Sequence, residues 1–149
     1  MGAHAEEMVL TIPSDFKFLG AVDAAVQDLA REFSFPTESM NDFSTALVEA
    51  CSNAIEHGNK FSRDKRVSVS VRLEGESFVA VVADQGDGFD FDAALDDVNP
   101  PDMMSERGRG LLIMKAFTDS LRFSRDDAGL TVELTKTRVV IADQSGAAE

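Results

Sequence analysis

Apolar and polar positions fall into short blocks whose period changes along the chain. Residues 1–7 show no apolar pattern and read as a tail. Met8, Leu10 and Ile12 then alternate with polar neighbours, as in a short strand. Ser14 offers an N-cap, and Phe18, Val22, Ala25, Val26 and Leu29 follow at helical spacing through Phe33. Pro36 interrupts this pattern. Thr37 offers the N-cap of a second helix running to about Glu56, whose apolar stripe is Met40, Phe43, Leu47, Ala50 and Ala54. His57-Gly58-Asn59 supplies its exit, with Gly58 able to take positive φ.

After a polar loop the period changes to two. Val67, Val69, Val71 and Leu73 share one face while Ser68, Ser70, Arg72 and Glu74 share the other, which predicts a half-buried antiparallel strand. Gly75 turns the chain into FVAVVAD, an almost unbroken apolar run suited to a central strand. From Gln85 to Arg107 the pattern stops, and a stretch this long is usually a lid or binding loop. Gly110 opens a third helix carrying Leu111, Leu112, Met114 and Phe117. Strands near Ser120–Arg125 and Leu130–Lys136 complete the pattern as a hairpin. This order predicts an α+β fold, a two-layer sandwich with helices on one face of a mixed, mostly antiparallel sheet. One domain is expected over residues 8–138, with 139–149 as a C-terminal tail.

Composition narrows the functions. Val, Leu, Ile and Phe make 40 of the 149 residues, enough for a real core. The formal charge of −13 argues against free-standing nucleic-acid binding and against adhesion to an anionic membrane. No apolar run is long enough to span a bilayer. Cys51 is the single cysteine, so neither an intrachain disulfide nor a cysteine-cluster metal site can form. The expected class is a soluble cytoplasmic protein.

Three segments carry candidate chemistry. Glu49, Asn53 and His57 recur every four residues and form one polar line beside the apolar stripe of the second helix. Such a line suits a base next to an oxygen donor for Mg²⁺, or simply a solvated helix shoulder. Asp84-Gln85-Gly86-Asp87-Gly88 follows the central strand, where glycines allow a ligand to approach the backbone, or merely turn it. Arg107-Gly108-Arg109-Gly110-Leu111 leads into the third helix, where exposed N–H groups suit a polyphosphate; a flexible loop with solvated charges is the alternative.

Together the three are far more specific. ALVEACSNAIEHGNK, VVADQGDGFD and ERGRGLLIMKAFTD, in that order, resemble the ATP-binding boxes of the GHKL superfamily (the Bergerat fold). Within it they look most like the bacterial anti-sigma factor serine/threonine kinases, over about residues 8–136. The resemblance implies Glu49 as general base and Asn53 as the residue holding Mg²⁺ against the phosphates of ATP. It places Asp84 on the adenine amino group and Gly86 and Gly88 along that pocket. Gly108, Gly110 and Leu111 fall in the phosphate-side loop, with Arg107 or Arg109 reaching the terminal phosphate and residues 89–106 as the lid. His57 and Asn59 fall on the site rim. Thr131 corresponds to a late-strand threonine near the adenine, although Leu130 stands where relatives often carry Thr.

The implied function is to sequester a sigma factor and phosphorylate a Ser or Thr of an anti-sigma factor antagonist, commonly as a homodimer. The alternative is an ATP-binding partner-switching module of the same fold without phosphoryl transfer. A sensor kinase needs a phosphoacceptor histidine on a dimerisation helix, and neither His4 nor His57 fits. Gyrase-like and Hsp90-like ATPases need a second domain, for which the residues after Lys136 are too few.

Overall fold

The computed structural model describes residues 6–86 and 106–138, with Glu106–Gly108 described by backbone alone. The period-two segments become β1 (Glu7–Pro13), β2 (Arg66–Glu74), β3 (Ser77–Ala83), β4 (Ser120–Asp126) and β5 (Gly129–Thr137). β1 takes in Glu7, the last residue assigned above to the tail. The strands form one sheet in the order β1-β2-β3-β5-β4. All four pairings are antiparallel, in line with the mostly antiparallel sheet expected, and none of them is parallel.

Register explains the core. Leu10, Val69, Val82, Val132 and Phe123 stand side by side across all five strands, and Met8, Val71, Ala80, Leu134 and Leu121 form the next row. Slipping any strand by one residue would turn its part of this face to water. Burying each of the larger side chains contributes roughly 1.5–3 kcal/mol, so the register is strongly held.

The helices α1 (Leu19–Glu32), α2 (Thr37–Asn53) and α3 (Glu106–Ala116) cover that face. Val22, Val26 and Ala30 of α1, and Met40, Phe43, Leu47 and Ala50 of α2, are buried as their spacing requires. Far from the site, Phe33, Phe35 and Phe43 each set an edge against Phe78, with centroids 5.4–5.9 Å apart. Arg138 donates to the carbonyls of Ser34 and Phe33, capping the end of α1.

Helix boundaries differ from expectation in four places. Ser14 caps nothing: it is buried and donates to the Lys65 carbonyl, while Asp15 caps a short 3-10 turn, Phe16–Phe18, ahead of α1. Pro36, not Thr37, caps α2, its carbonyl accepting from Met40 N–H at 3.1 Å. α2 stops at Asn53 and passes into a π-helical turn over Ala54–Gly58. α3 begins at Glu106, so Gly108 and Gly110 lie inside it rather than before it.

Candidate functional site

The site forms where the end of α2, the body of α3 and the adjoining ends of β3 and β5 meet. Asp84 leaves β3 and extends the ladder by one bond, its N–H donating to the Leu130 carbonyl at 3.0 Å. Its carboxylate is buried, and Oδ1 accepts from Gly86 N–H and Leu130 N–H, both at 3.0 Å. Two backbone donors on one oxygen fix the direction of the other. Oδ2 sits in the notch that Gly58 leaves and accepts no hydrogen bond from the described residues. A Cβ at Gly58 would overlap this carboxylate, and one at Gly86 would overlap the Gly58 carbonyl. Those two glycines therefore let the turn after α2 and the strand exit touch.

Asp84, Asn53, Ala50, Ala54, Met114 and Leu130 line a crevice with Val82 and Val132 at its floor. Its free volume is only ≈10 Å³, room for about one water molecule. A planar ring can enter only if the walls part, and Met114, unbranched and flexible, is the side chain best able to yield.

Around the corner, α3 crosses α2. A Cβ on Gly110 would lie 3.7 Å from both Asn53 Nδ2 and Glu49 Oε1. The first and third sequence segments thus face each other across one glycine. Glu49 is half-buried, Asn53 is 9% exposed, and Asn53 Nδ2 has no hydrogen-bond partner among the described residues. A buried amide end without a partner costs about 1–3 kcal/mol unless something binds there. Which end carries oxygen is an assignment; with the amide rotated, the orphan is a carbonyl oxygen facing Gly110. This donor suits Mg²⁺, which takes few protein oxygens and relies on phosphates and water for the rest. Among the described residues no cluster of three His, Cys, Asp or Glu could hold a metal unaided.

The π-turn alters the polar line. An extra residue in the turn breaks the four-residue repeat after Asn53, and Asn59 N–H reaches back to the Ala54 carbonyl at 2.8 Å. His57 is consequently not one turn further along an α-helix; it is partly exposed, with Nε2 3.8 Å from Glu56.

Two candidates are not brought to the site through their side chains. In β5, Leu130, Val132 and Leu134 point to the core, so Thr131 lies on the opposite sheet face and Leu130 takes the crevice position. The apolar-polar alternation of Leu130 to Thr135 carries this signal. Leu111 is 1% exposed and belongs to the core, leaving only its backbone for a ligand. Arg109 is exposed on α3. Gly88, the side chain of Arg107 and lid residues 89–105 lie outside the described residues, and Gly108 is placed only as helix backbone.

One site residue is more important than its sequence signal suggested. Asn59 is 1% exposed; its Nδ2 donates to Ser14 Oγ (2.9 Å) and the Arg66 carbonyl (3.1 Å), and its Oδ1 accepts from Gln85 N–H (2.8 Å). It ties the end of β1, the start of β2 and the exit of β3 together directly beside Asp84. The sequence shows only a polar residue after a glycine.

This fold and this meeting of carboxylate, amide and glycine-lined crevice define a nucleotide-binding domain. Residues 12–136 match the histidine kinase-like ATPase domain, and the chain belongs to that family. It is similar to the serine-protein kinase RsbW of Bacillus subtilis, at 29% identity over 91% of this chain and 88% of that protein. RsbW of Bacillus velezensis is 30% identical over the same shares. A crystal structure of the RsbU and RsbW domains of a Mycobacterium tuberculosis protein superposes with a TM-score of 0.67 at 20% identity, over 89% of this chain and 32% of that one. The chain is an ATP-using enzyme of the kinase class. Among the described residues no helix is long and apolar enough to cross a membrane.

Proposed function

We propose that the protein is a serine/threonine-protein kinase and anti-sigma factor, acting as a cytoplasmic homodimer. It binds Mg-ATP, sequesters a sigma factor and phosphorylates a Ser or Thr of an antagonist protein. The observation that carries the kinase reading is the convergence of Glu49 and Asn53 on Gly110, beside the crevice that ends at Asp84.

Each residue has a physical task. Asp84 Oδ2 accepts from the adenine amino group, a readout that rejects bases presenting an acceptor there. Asn53 would hold Mg²⁺, which supplies charge neutralisation on the phosphates when bound. The carboxylate of Glu49 takes the proton of the incoming hydroxyl as its oxygen bonds to the γ-phosphorus and ADP departs. Arg109, and Arg107 two residues before it, provide positive charge in a chain of −13. The acidity supports a sigma factor as partner, because the basic DNA-contacting surfaces of such a protein are complementary to it. The open edge of β1, where Val9 is 59% exposed, supports the dimeric state.

The test is incubation of the purified protein with Mg²⁺, γ-32P-labelled ATP and the cognate antagonist. Labelled antagonist is expected. Tight ATP binding with no labelled product would favour the reading in which ATP is only a conformational ligand.

A further inference from the structure

One surface reverses the sign of the whole chain. Segment 13–18, which leaves β1, and segment 60–66, which follows the π-turn, contain Lys17, Lys60, Arg63, Lys65 and Arg66 against Asp15 and Asp64, a net of +3 in a chain of −13. Residues 13–18, Phe61 and Arg63 line an open groove of ≈450 Å³, and Lys60 adjoins Phe61 in the chain at its margin. Phe16 and Phe61 stand in it, 41% and 48% exposed, edge to face with centroids 5.1 Å apart. Lys60 and Phe61 both hold positive φ, 53° and 58°, a backbone state costly for residues with a Cβ. Among the described residues neither Lys60 nor Arg63 forms an ion pair.

The groove is preformed. Ser14 Oγ donates to the Lys65 carbonyl at 2.6 Å and accepts from Asn59 Nδ2, so its two walls are pinned to each other from below. A rigid surface that leaves two aromatic rings wet and two cations without anions is built for a ligand that supplies the missing contacts. Asn59 also accepts from the N–H of Gln85, the residue after Asp84, so one buried side chain links Ser14 in the groove wall to the exit of β3.

We propose that this groove docks an acidic segment of the protein substrate, which lays an apolar side chain against Phe16 and Phe61 and sets its carboxylates against Lys60 and Arg63. The identity of the partner as the substrate rests on the kinase reading; the chemistry of the groove does not. The probe is a fluorescein-labelled twelve-residue peptide of glutamates around a central Leu-Phe pair, titrated into the full chain and followed by anisotropy. Saturable, salt-sensitive binding is expected. Lys60→Glu with Arg63→Glu should weaken it about tenfold or more, since two exposed charge pairs are reversed. Phe61→Asn, which tolerates positive φ, should weaken it by a similar factor through the lost ring, with Mg-ATP affinity unchanged in both variants. Absence of saturable binding, or equal affinity in all three proteins, would overturn the proposal. So would sedimentation with phosphatidylserine vesicles in place of peptide binding, which would assign the patch to a lipid surface. Peptide binding as expected with no antagonist labelling would sustain the groove and sink the kinase reading; labelling with variant-insensitive peptide binding would do the reverse.

Discussion

Gly110→Ala should make the protein more stable and a worse enzyme. Gly110 lies in the interior of α3, where glycine is less favourable than alanine by about 0.5–1 kcal/mol. The added methyl would meet Asn53 Nδ2 and Glu49 Oε1 at 3.7 Å, ordinary van der Waals contact, so nothing offsets the gain. For a chain of this size the melting temperature should rise by about 1–4 °C. In the proposed mechanism the same methyl fills the space between Glu49, Asn53 and α3 where the reacting groups would meet. Misplacement there by about 1 Å can cost roughly a hundredfold, so kcat should fall about ten- to a hundredfold. Gly20→Ala is the matched control, because Gly20 is also helical but a Cβ there meets nothing within 4 Å. It should stabilise similarly and leave phosphoryl transfer untouched. Circular-dichroism melts and initial rates of antagonist labelling give both quantities. A Gly110→Ala protein with the wild-type rate, or with a lowered melting temperature, would refute the assigned geometry.

The other predictions concern the crevice and the core. Asp84→Asn keeps an oxygen for the Gly86 and Leu130 N–H groups but replaces the second acceptor, so calorimetry should show ATP binding at least about tenfold weaker in a folded protein; unchanged affinity would remove Asp84 from adenine recognition. Asn59→Ala cuts three hydrogen bonds of a buried side chain and should cost about 2–4 kcal/mol in urea denaturation, and a loss below about 0.5 kcal/mol would contradict its role as a tie. Burial pushes the Cys51 thiol up to about 12 from its ordinary 9.0, so at pH 8 a thiol reagent should label it only as fast as the protein opens. The unfolded chain loses that proton near pH 9 while the native state keeps it, so this contribution to stability is complete below pH 9 and lost as pH rises towards 12. Labelling as fast as for a free thiol would contradict the burial.

What the sequence made legible follows from periodicity. The strict alternation of Val67 to Glu74 and the stripe from Met40 to Ala50 are written in side-chain type; β2 stands where the pattern put it, and α2 does so as far as Asn53. The glycines around Asp84 were legible as permissive positions, but not that Gly58 and Gly86 touch, because that contact joins residues far apart in sequence. The π-turn was not legible: Ala54 to His57 has ordinary helical composition, and the close approach of Gly58 to Asp84 joins residues far apart in sequence. Thr131 lies on the sheet face opposite the crevice for a reason of parity, since alternate residues of a strand point to opposite faces. Asn59 was hidden because a buried hub and a solvated loop residue look alike until the partners, Ser14, Arg66 and Gln85, are in place.

Glu49 is proposed as the base of a phosphoryl transfer and not merely part of an ATP-binding wall. Single-turnover transfer of label from γ-32P-labelled ATP to the antagonist, at saturating Mg-ATP, tests it most directly when wild type and Glu49→Gln are compared with their ATP affinities measured separately. For Glu49→Gln, ATP affinity should stay within about threefold of wild type while the transfer rate falls by at least about a hundredfold. Equal transfer rates in the two proteins would contradict this role.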